Sequence, residues 1–225
     1  MKNKILSMLA FAAAVTFTAC DDDNEGLTRI TYYPSITLEG ESFMIHQKGE
    51  PFVEPGYTSL LNGEDVTDGV TVSGAVNVNR SGLYTITYTT VKNEDGFSGS
   101  TSRTVFVLDQ ENPMEGFFTT GSRTQRVDGI PFGPYEVMIY EVEDGIYFVD
   151  DLLGGWYRDR AGYGDAYTLK GYIAVADDGT IEVLDNGFAL WPYYAETWEN
   201  GHYADGTFFW TVGFQGLAWD VELVK

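Results

Sequence analysis

Apolar and polar residues alternate with a period of two along much of the chain beyond residue 30. In the stretch LYTITYTTV, Tyr84, Ile86 and Tyr88 fall on one side of an extended chain, and the intervening threonines fall on the other. Residues 70–78 (VTVSGAVNV) and 104–108 (TVFVL) follow the same pattern. Beyond the first twenty residues, no window keeps apolar residues at i, i+3, i+4 and i+7 for three helical turns. The pattern therefore predicts an all-β protein.

Turn signals separate these apparent strands. Asp-Gly and Asn-Gly pairs accept positive φ angles and close tight hairpins. The pairs around Asp144 and Asp178 each lie between two strand patterns, so we predict a hairpin at both. The chain has six Asp-Gly and three Asn-Gly pairs, which begin at Asp68, Asp95, Asp128, Asp144, Asp178, Asp205, Asn62, Asn186 and Asn200.

The composition changes near residues 108–116 (LDQENPMEG), which we interpret as a domain boundary. All five tryptophans lie beyond Pro113. We expect residues 30–109 to form a small β-sandwich of about seven strands. Residues 113–225 are expected to form a second, aromatic-rich antiparallel domain, either a β-barrel or a β-sandwich.

The first twenty residues have a different pattern. Lys2 and Lys4 precede a predominantly apolar run at residues 5–17, which is short for a permanent membrane span but typical of a signal-peptide core. Thr18 and Ala19 are small and stand directly before Cys20. Residues 1–19 are therefore predicted to be a signal peptide.

Residues 17–20 resemble a bacterial lipobox, with Phe17 where leucine is usual. The resemblance implies that Cys20 is diacylated and becomes the new N-terminus, and the alternative is a signal peptide with an incidental cysteine. The run DDDNE that follows resembles the export signal that sends lipoproteins of some Gram-negative gut anaerobes to the outer face of the outer membrane. It would make residues 20–29 an acidic tether and place the protein on the cell surface.

Charge and chemistry narrow the functional classes. With 13 Lys and Arg against 34 Asp and Glu, the formal charge is −21, which argues against nucleic acid or anionic lipid as partners of the folded part. Cys20 is the single cysteine, so the mature chain has no disulfide. His46 and His202 fall in different predicted domains, and the second domain contains only Ser122 as a serine. A hydrolytic triad and a zinc site are therefore disfavoured.

Carboxylates leave two possibilities open. A two-carboxylate glycosidase is one alternative, and it would draw on the acids of the second domain. Calcium at the domain junction is the other, through Asp109, Glu111 and Asn112. The acids available to a glycosidase are Asp150, Asp151, Asp159, Asp165, Glu196, Glu199 and Asp205.

Two further resemblances concern the domains themselves. Ser81-Gly82 before an aromatic strand, the turn at residues 93–96 and the strand RTVFV resemble bacterial surface Ig-like modules, which implies a spacer or adhesion role. The motifs GGWY at residues 154–157 and GYG at 162–164 resemble the C-terminal domain of surface lipoproteins that accompany starch-utilisation-type glycan uptake systems. This resemblance implies an outer-membrane uptake complex as a partner.

Aromatic residues in Gly-rich polar loops are the strongest functional signal. They can pack at the ends of a barrel or between sheets, or they can stack on the apolar face of a sugar ring while Arg158, Arg160 and carboxylates bind its hydroxyls. We predict a non-catalytic surface lipoprotein that binds glycan. The alternative is an adhesion or structural protein whose second domain binds another protein. The candidate ligand-binding residues are Trp156, Tyr157, Tyr163, Trp191, Tyr193, Tyr194 and Trp198.

Overall fold

The computed structural model describes residues 29–225, so the predicted signal peptide and Cys20 lie outside the described residues. The N-terminal strands are β1 (Ser35–Leu38), β2 (Phe43–Gln47), β3 (Tyr57–Leu61), β4 (Glu64–Asp65), β5 (Thr71–Ser73), β6 (Gly82–Thr89) and β7 (Ser100–Leu108). The C-terminal strands are β8 (Gly116–Thr120), β9 (Gln125–Arg126), β10 (Ile130–Pro131), β11 (Glu136–Glu143), β12 (Ile146–Val149), β13 (Leu169–Val175), β14 (Ile181–Phe188), β15 (Thr197–Ala204), β16 (Thr207–Phe214) and β17 (Leu217–Val224). Short helical turns occur at Thr67–Gly69, Trp156–Arg160 and Asp165–Tyr167.

The N-terminal strands form two sheets, ordered β1-β3-β4 and β2-β7-β6-β5. Strand β2 runs parallel to β7, while the other pairs are antiparallel. Tyr57 and Tyr88 pack between the sheets with ring centroids 4.8 Å apart. Arg103 is fully buried and donates to the carboxylate of Glu54. A compact sandwich results, as predicted.

The C-terminal strands close into an eight-stranded barrel. Neighbouring strands run β8-β11-β12-β13-β14 on one side, and β15-β16-β17 lead back to β8 on the other. The seam between β14 and β15 is held by a bridge from Thr180 to His202 and by a 2.7 Å hydrogen bond from Tyr203 N to Gly179 O. Of the two architectures predicted for this domain, the structure has the barrel.

Alternate residues of the barrel strands fill its interior. The pattern in TFFWTVGF buries every second side chain, because successive residues point to opposite faces. Trp210 and Trp219 are fully buried at the centre. The barrel interior is therefore a packed core that leaves the barrel ends and outer wall as the surfaces on which a ligand can bind.

The two domains make an apolar contact. Phe106 of β7 packs against Phe117 and Tyr140 on the outer wall of the barrel, with centroids 5.4 and 5.8 Å apart. Polar contacts from Arg80 and Lys48 to β11 flank these rings. The sandwich is thus packed against the barrel wall as well as joined to it by the linker.

The predicted all-β class is confirmed. The hairpins predicted around Asp144 and Asp178 are also present, as the turns between β11 and β12 and between β13 and β14. Within residues 29–225, no helix has the length and apolar character needed to cross a bilayer.

Candidate functional site

The two ends of the barrel differ in the length of their connections. Tight turns join the strands at the end near the N-terminal domain. At the opposite end, residues 150–168 connect β12 to β13 and residues 189–196 connect β14 to β15. These long connections and the last residues of β14 and β16 carry a cluster of rings that we call the aromatic rim. It consists of Tyr157, Tyr163, Tyr167, Phe188, Trp191, Tyr193 and Phe214.

Trp191 is the centre of the aromatic rim. Its ring lies 4.9 Å from Tyr167 and 5.1 Å from Tyr157, in edge-to-face geometry. It is nearly parallel to Phe214, with an interplanar angle of 10° at 6.5 Å. Edge-to-face contacts of this kind hold each ring in a defined orientation. The rim is therefore a preformed apolar surface.

Part of this surface faces solvent. Tyr163 is 53% exposed, Tyr193 44% and Tyr194 63%, while Tyr157 and Trp191 are half-buried. Leu190, next to Trp191, is also exposed. Five of the seven candidate binding residues from the sequence thus come together at one end of the barrel with accessible side chains.

The structure places the other two candidates in the barrel itself. Trp156 is only 7% exposed and packs edge-to-face on Phe132, while the guanidinium groups of Arg126 and Arg160 lie over its ring. Trp198 stacks on the buried Trp210 at 5.2 Å. Trp156 is buried and unavailable to a ligand, whereas Trp198 is half-buried and lies on β15, where its Nε1 donates to Ile181 O at 3.2 Å.

Tyr167, Phe188 and Phe214 belong to the rim, although the sequence analysis did not select them. Phe188 and Phe214 end their strands and read as ordinary core positions in the period-two pattern. The sequence signal that could have identified them is their position as the last residues of strands β14 and β16, where each strand ends at the rim. Tyr167 lies in the stretch LGGWYRDRAGYGDAY and could have been found from composition alone.

Asp151 holds the first long connection in place. Its Oδ1 accepts hydrogen bonds from the backbone of Leu153 (3.1 Å) and Leu169 (3.2 Å), and its Oδ2 accepts one from Gly155 (3.0 Å). Burial raises the pKa of Asp151 to about 7, although the donation from Leu153 opposes the shift. This carboxylate therefore orders the loop that leads into Trp156 and Tyr157.

Gly155 allows the same loop to fold inward. Its φ is 82°, and a Cβ at this position would lie 2.5 Å from Asp159 Oδ2 and 2.9 Å from Tyr135 Cβ. Only glycine adopts this conformation in so little space without strain. The next residues then turn through the short helix Trp156–Arg160, which inserts Trp156 and leaves Tyr157 at the rim.

A groove of about 520 Å³ adjoins the rim at Phe214. It lies between the β9–β10 hairpin and the β16–β17 turn, and Asp128 and Glu196 line it. Arg126 forms a salt bridge with Asp128 and lowers the pKa of that carboxyl. The groove therefore places charged hydrogen-bonding side chains next to the rim, within reach of a hydroxyl-rich ligand that stacks on the rim's exposed rings.

Glu196 and Asp205 are too far apart to act as a glycosidase pair. Glu196 precedes β15 and Asp205 follows it, so the eight-residue strand Thr197–Ala204 separates them by about 25 Å. Glycosidase carboxyls stand roughly 5–9.5 Å apart. The Asp150 carboxylate accepts a hydrogen bond from Met138 N and forms a salt bridge with Arg158. These two contacts give Asp150 a structural role.

The oxygens of the domain junction are also engaged. Asp109 Oδ1 accepts from Gln47 Nε2 and from Glu111 N, while Asn112 Oδ1 accepts from Met114 N. Among residues 29–225, no group of three or more His, Cys, Asp or Glu side chains is placed to hold a metal ion. Calcium at the junction stays a prediction without support from the geometry.

Comparisons with known proteins agree with this architecture. A family model described as a bacterial surface protein Ig-like domain matches residues 36–107, and a model of a C-terminal domain matches residues 107–225. The crystal structure of the lipoprotein BT2262 from Bacteroides thetaiotaomicron is similar, with a TM-score of 0.69 and 36% sequence identity over 86% of this chain and 100% of that chain. A comparison with curated proteins finds no match. The Ig-like resemblance is confirmed, the matches indicate a cell-envelope location, and neither model describes an enzyme.

Proposed function

Because this chain belongs to the same family as the Bacteroides thetaiotaomicron lipoprotein BT2262, we propose that it is a lipid-anchored, non-catalytic protein of the outer-membrane surface that binds glycan through the aromatic rim. The observation that carries this proposal is the group of accessible rim rings, Tyr163, Trp191 and Tyr193, with the exposed Tyr194 next to them, on one end of a packed barrel. A sugar ring has an apolar C–H face that stacks on such side chains.

The position of the rim supports a role in capture. The N-terminal segment lies against the loop before β7, where Asn93 Nδ2 donates to Tyr32 O at 2.7 Å. The nine residues of β7 then lead to the barrel over about 30 Å. The rim lies at the far end of the barrel from the sandwich, so a tether at Cys20 would present it away from the membrane.

The electrostatics favour a neutral glycan. The chain carries a formal charge of −21, and the groove beside the rim includes Asp128 and Glu196. An acidic polysaccharide would meet like charge on approach. Within this proposal the protein delivers neutral glycan to an outer-membrane uptake complex.

Affinity gels that contain soluble glucans, mannans or xylans test the binding, together with an array of host glycans. We expect at least one of these to bind the mature chain. The double variant Trp191→Ala/Tyr193→Ala should bind roughly 5- to 150-fold more weakly, because two ring contacts contribute about 1–3 kcal/mol together. Tyr33→Ala is the matched control, since it deletes an exposed ring from the sandwich.

Two results would count against the proposal. If the wild-type protein binds none of the glycans in the panel, glycan binding is contradicted. Equal binding by the wild type and the double variant would contradict the rim as the site. Capture of an envelope protein that depends on Trp191, without any glycan binding, would favour the adhesion alternative.

The anchor needs a separate test. We expect radiolabelled palmitate to label the wild-type protein in cells and not the Cys20→Ala variant. Protease added to intact cells should remove the labelled protein's folded part. A labelled protein that resists protease in intact cells, and is digested only after the outer membrane is opened, would contradict surface exposure.

A further inference from the structure

A second row of aromatic rings lies on the outer wall of the barrel, away from the rim. Tyr140 on β11 is paired with Phe148 on β12, and Phe148 is paired with Tyr172 on β13. Their ring centroids are 5.0 and 5.5 Å apart. We call these three residues the wall row. Because neighbouring residues such as Ile139 and Tyr147 point into the core, the wall row is not needed to fill the barrel interior.

One end of the wall row is closed by the N-terminal sandwich. Phe106 packs on Tyr140 at 5.8 Å, and Gly82 lies close to the same ring. The other end is open, since Tyr172 is 40% exposed. The row therefore begins at a wall formed by one domain and runs outward across the face of the other.

A groove of about 290 Å³ continues the row at its open end. Phe148 and Tyr172 contribute its aromatic side, and Lys170, Asp185 and Asn186 contribute polar groups. Its volume is just below the usual range for ligand pockets, which is about 300–1,000 Å³. A mono- or disaccharide is a ligand of matching size.

The charged border of the row decides which class of partner fits. Lys170 and Asp185 are exposed and lie beside Tyr172, whereas Asp150 and Arg158 already form a salt bridge with each other at 3.3 Å. A second protein chain packed flat on this surface would have to desolvate Lys170 and Asp185, which is costly unless each is paired. A sugar stacks its apolar face on the rings and offers hydroxyls to the charged groups.

We propose that the wall row and its groove form a second carbohydrate-binding site, which takes a neutral mono- or disaccharide unit. The site is built from different side chains than the rim and does not depend on the rim's activity. The groove reaches Ala189, the first residue of the loop that carries Trp191. One polysaccharide chain can therefore engage both sites, and binding at two sites raises the overall affinity.

The test compares three forms of the mature chain in affinity gels that contain starch, xylan or mannan. Phe148→Leu/Tyr172→Leu removes both rings but keeps apolar side chains on the wall. We expect it to weaken retardation three- to tenfold relative to the wild type in a gel that retards the wild type. Combined with Trp191→Ala/Tyr193→Ala, it should abolish the retardation that remains. Tyr33→Leu in the sandwich is the matched control and should migrate like the wild type.

The single variant Tyr172→Leu controls for misfolding, because this side chain is exposed and does not fill the barrel interior. It should keep the wild-type unfolding midpoint and still weaken binding. If the wall variants migrate like the wild type in every gel that retards it, the second site is refuted while the rim proposal stands. If only the wall variants lose binding, the rim proposal fails and the second site stands. If no gel retards the wild type, both are refuted.

Discussion

The buried carboxylate of Asp151 makes a specific prediction about how barrel stability depends on pH. Its side chain is 1% exposed, and burial raises its pKa to about 7. The unfolded value is about 3.9. The native state therefore binds a proton more tightly than the unfolded state. The stability that this proton contributes is fully present below about pH 4 and is lost as the pH rises through 7.

The magnitude follows from the two pKa values. Between pH 5 and 7, the unfolded chain has released the proton and the native chain has not, so each pH unit changes the free energy of unfolding by about 1.36 kcal/mol. Because the native group is itself half ionised at pH 7, the slope falls near the end of this interval, and the wild type should lose roughly 2 kcal/mol relative to Asp151→Asn, which cannot titrate. The variant also leaves Gly155 N without an acceptor, which costs about 1–3 kcal/mol at every pH.

The assay is urea unfolding followed by tryptophan fluorescence at pH 5, 6, 7 and 8. All five tryptophans lie in the barrel domain, so the signal reports its unfolding alone. Other carboxylates titrate in both proteins and cancel in the difference. Asp177→Asn, an exposed turn residue, is the matched control. A difference between wild type and Asp151→Asn that is constant from pH 5 to 8 would refute the reasoning, as would a carboxyl NMR titration of Asp151 with its midpoint near 4.

Three further predictions concern stability. Arg103→Met should destabilise the sandwich by about 3–5 kcal/mol, because it breaks a buried salt bridge to Glu54, and calorimetry would show it. For Glu222, burial opposes ionisation, but hydrogen bonds from the backbone and side chain of residue 123 outweigh it and lower the pKa. Its contribution is therefore present above the unfolded value of about 4.3 and lost as the pH falls through the folded value. Glu222→Gln should be less stable than wild type at pH 7, and urea titrations should show this difference shrinking as the pH is lowered below about 4. Gly179→Ala would place a Cβ 2.3 Å from Tyr203 O at the barrel seam, and we expect a loss of about 2 kcal/mol or more in the fluorescence midpoint.

The period-two pattern was sufficient to predict the class of fold and the faces of several strands. It placed Ile86 and Tyr88 on one face of a strand, and both are buried in the sandwich. The Asp-Gly pairs located hairpins because their conformational preference is local. Barrel closure could not be predicted in this way, since it depends on contacts such as Thr180 with His202 between strands whose pairing no local signal specifies.

The candidate site was predictable in location but not in membership. Trp156 and Trp191 both occur in Gly- or Pro-containing aromatic stretches and are indistinguishable by composition. Trp156 is buried because the loop held by Asp151 folds inward and brings it against Phe132 and Trp219, which are distant in sequence. The wall row has no distinguishing signal in the sequence, because Phe148 and Tyr172 fit the ordinary period-two pattern of their strands. The boundary near residue 110 stays a prediction from composition.

The lengths of the connections between strands give the two proposed sites different tolerance to amino-acid substitution. The tight Asp-Gly turns at Asp144, Asp178 and Asp205 lie at one end of the barrel, and the long connections at residues 150–168 and 189–196 lie at the other. Residues 161–166 and 189–196 are mostly exposed, and exposed loops accept substitutions more readily than the strands that support them. The rim can therefore change its ligand through these residues without loss of the barrel, whereas residues 151–156 are buried and fixed by packing. The wall row is fixed by strand register and by the contact of Phe106 with Tyr140, so its geometry is bound to the packing of the two domains.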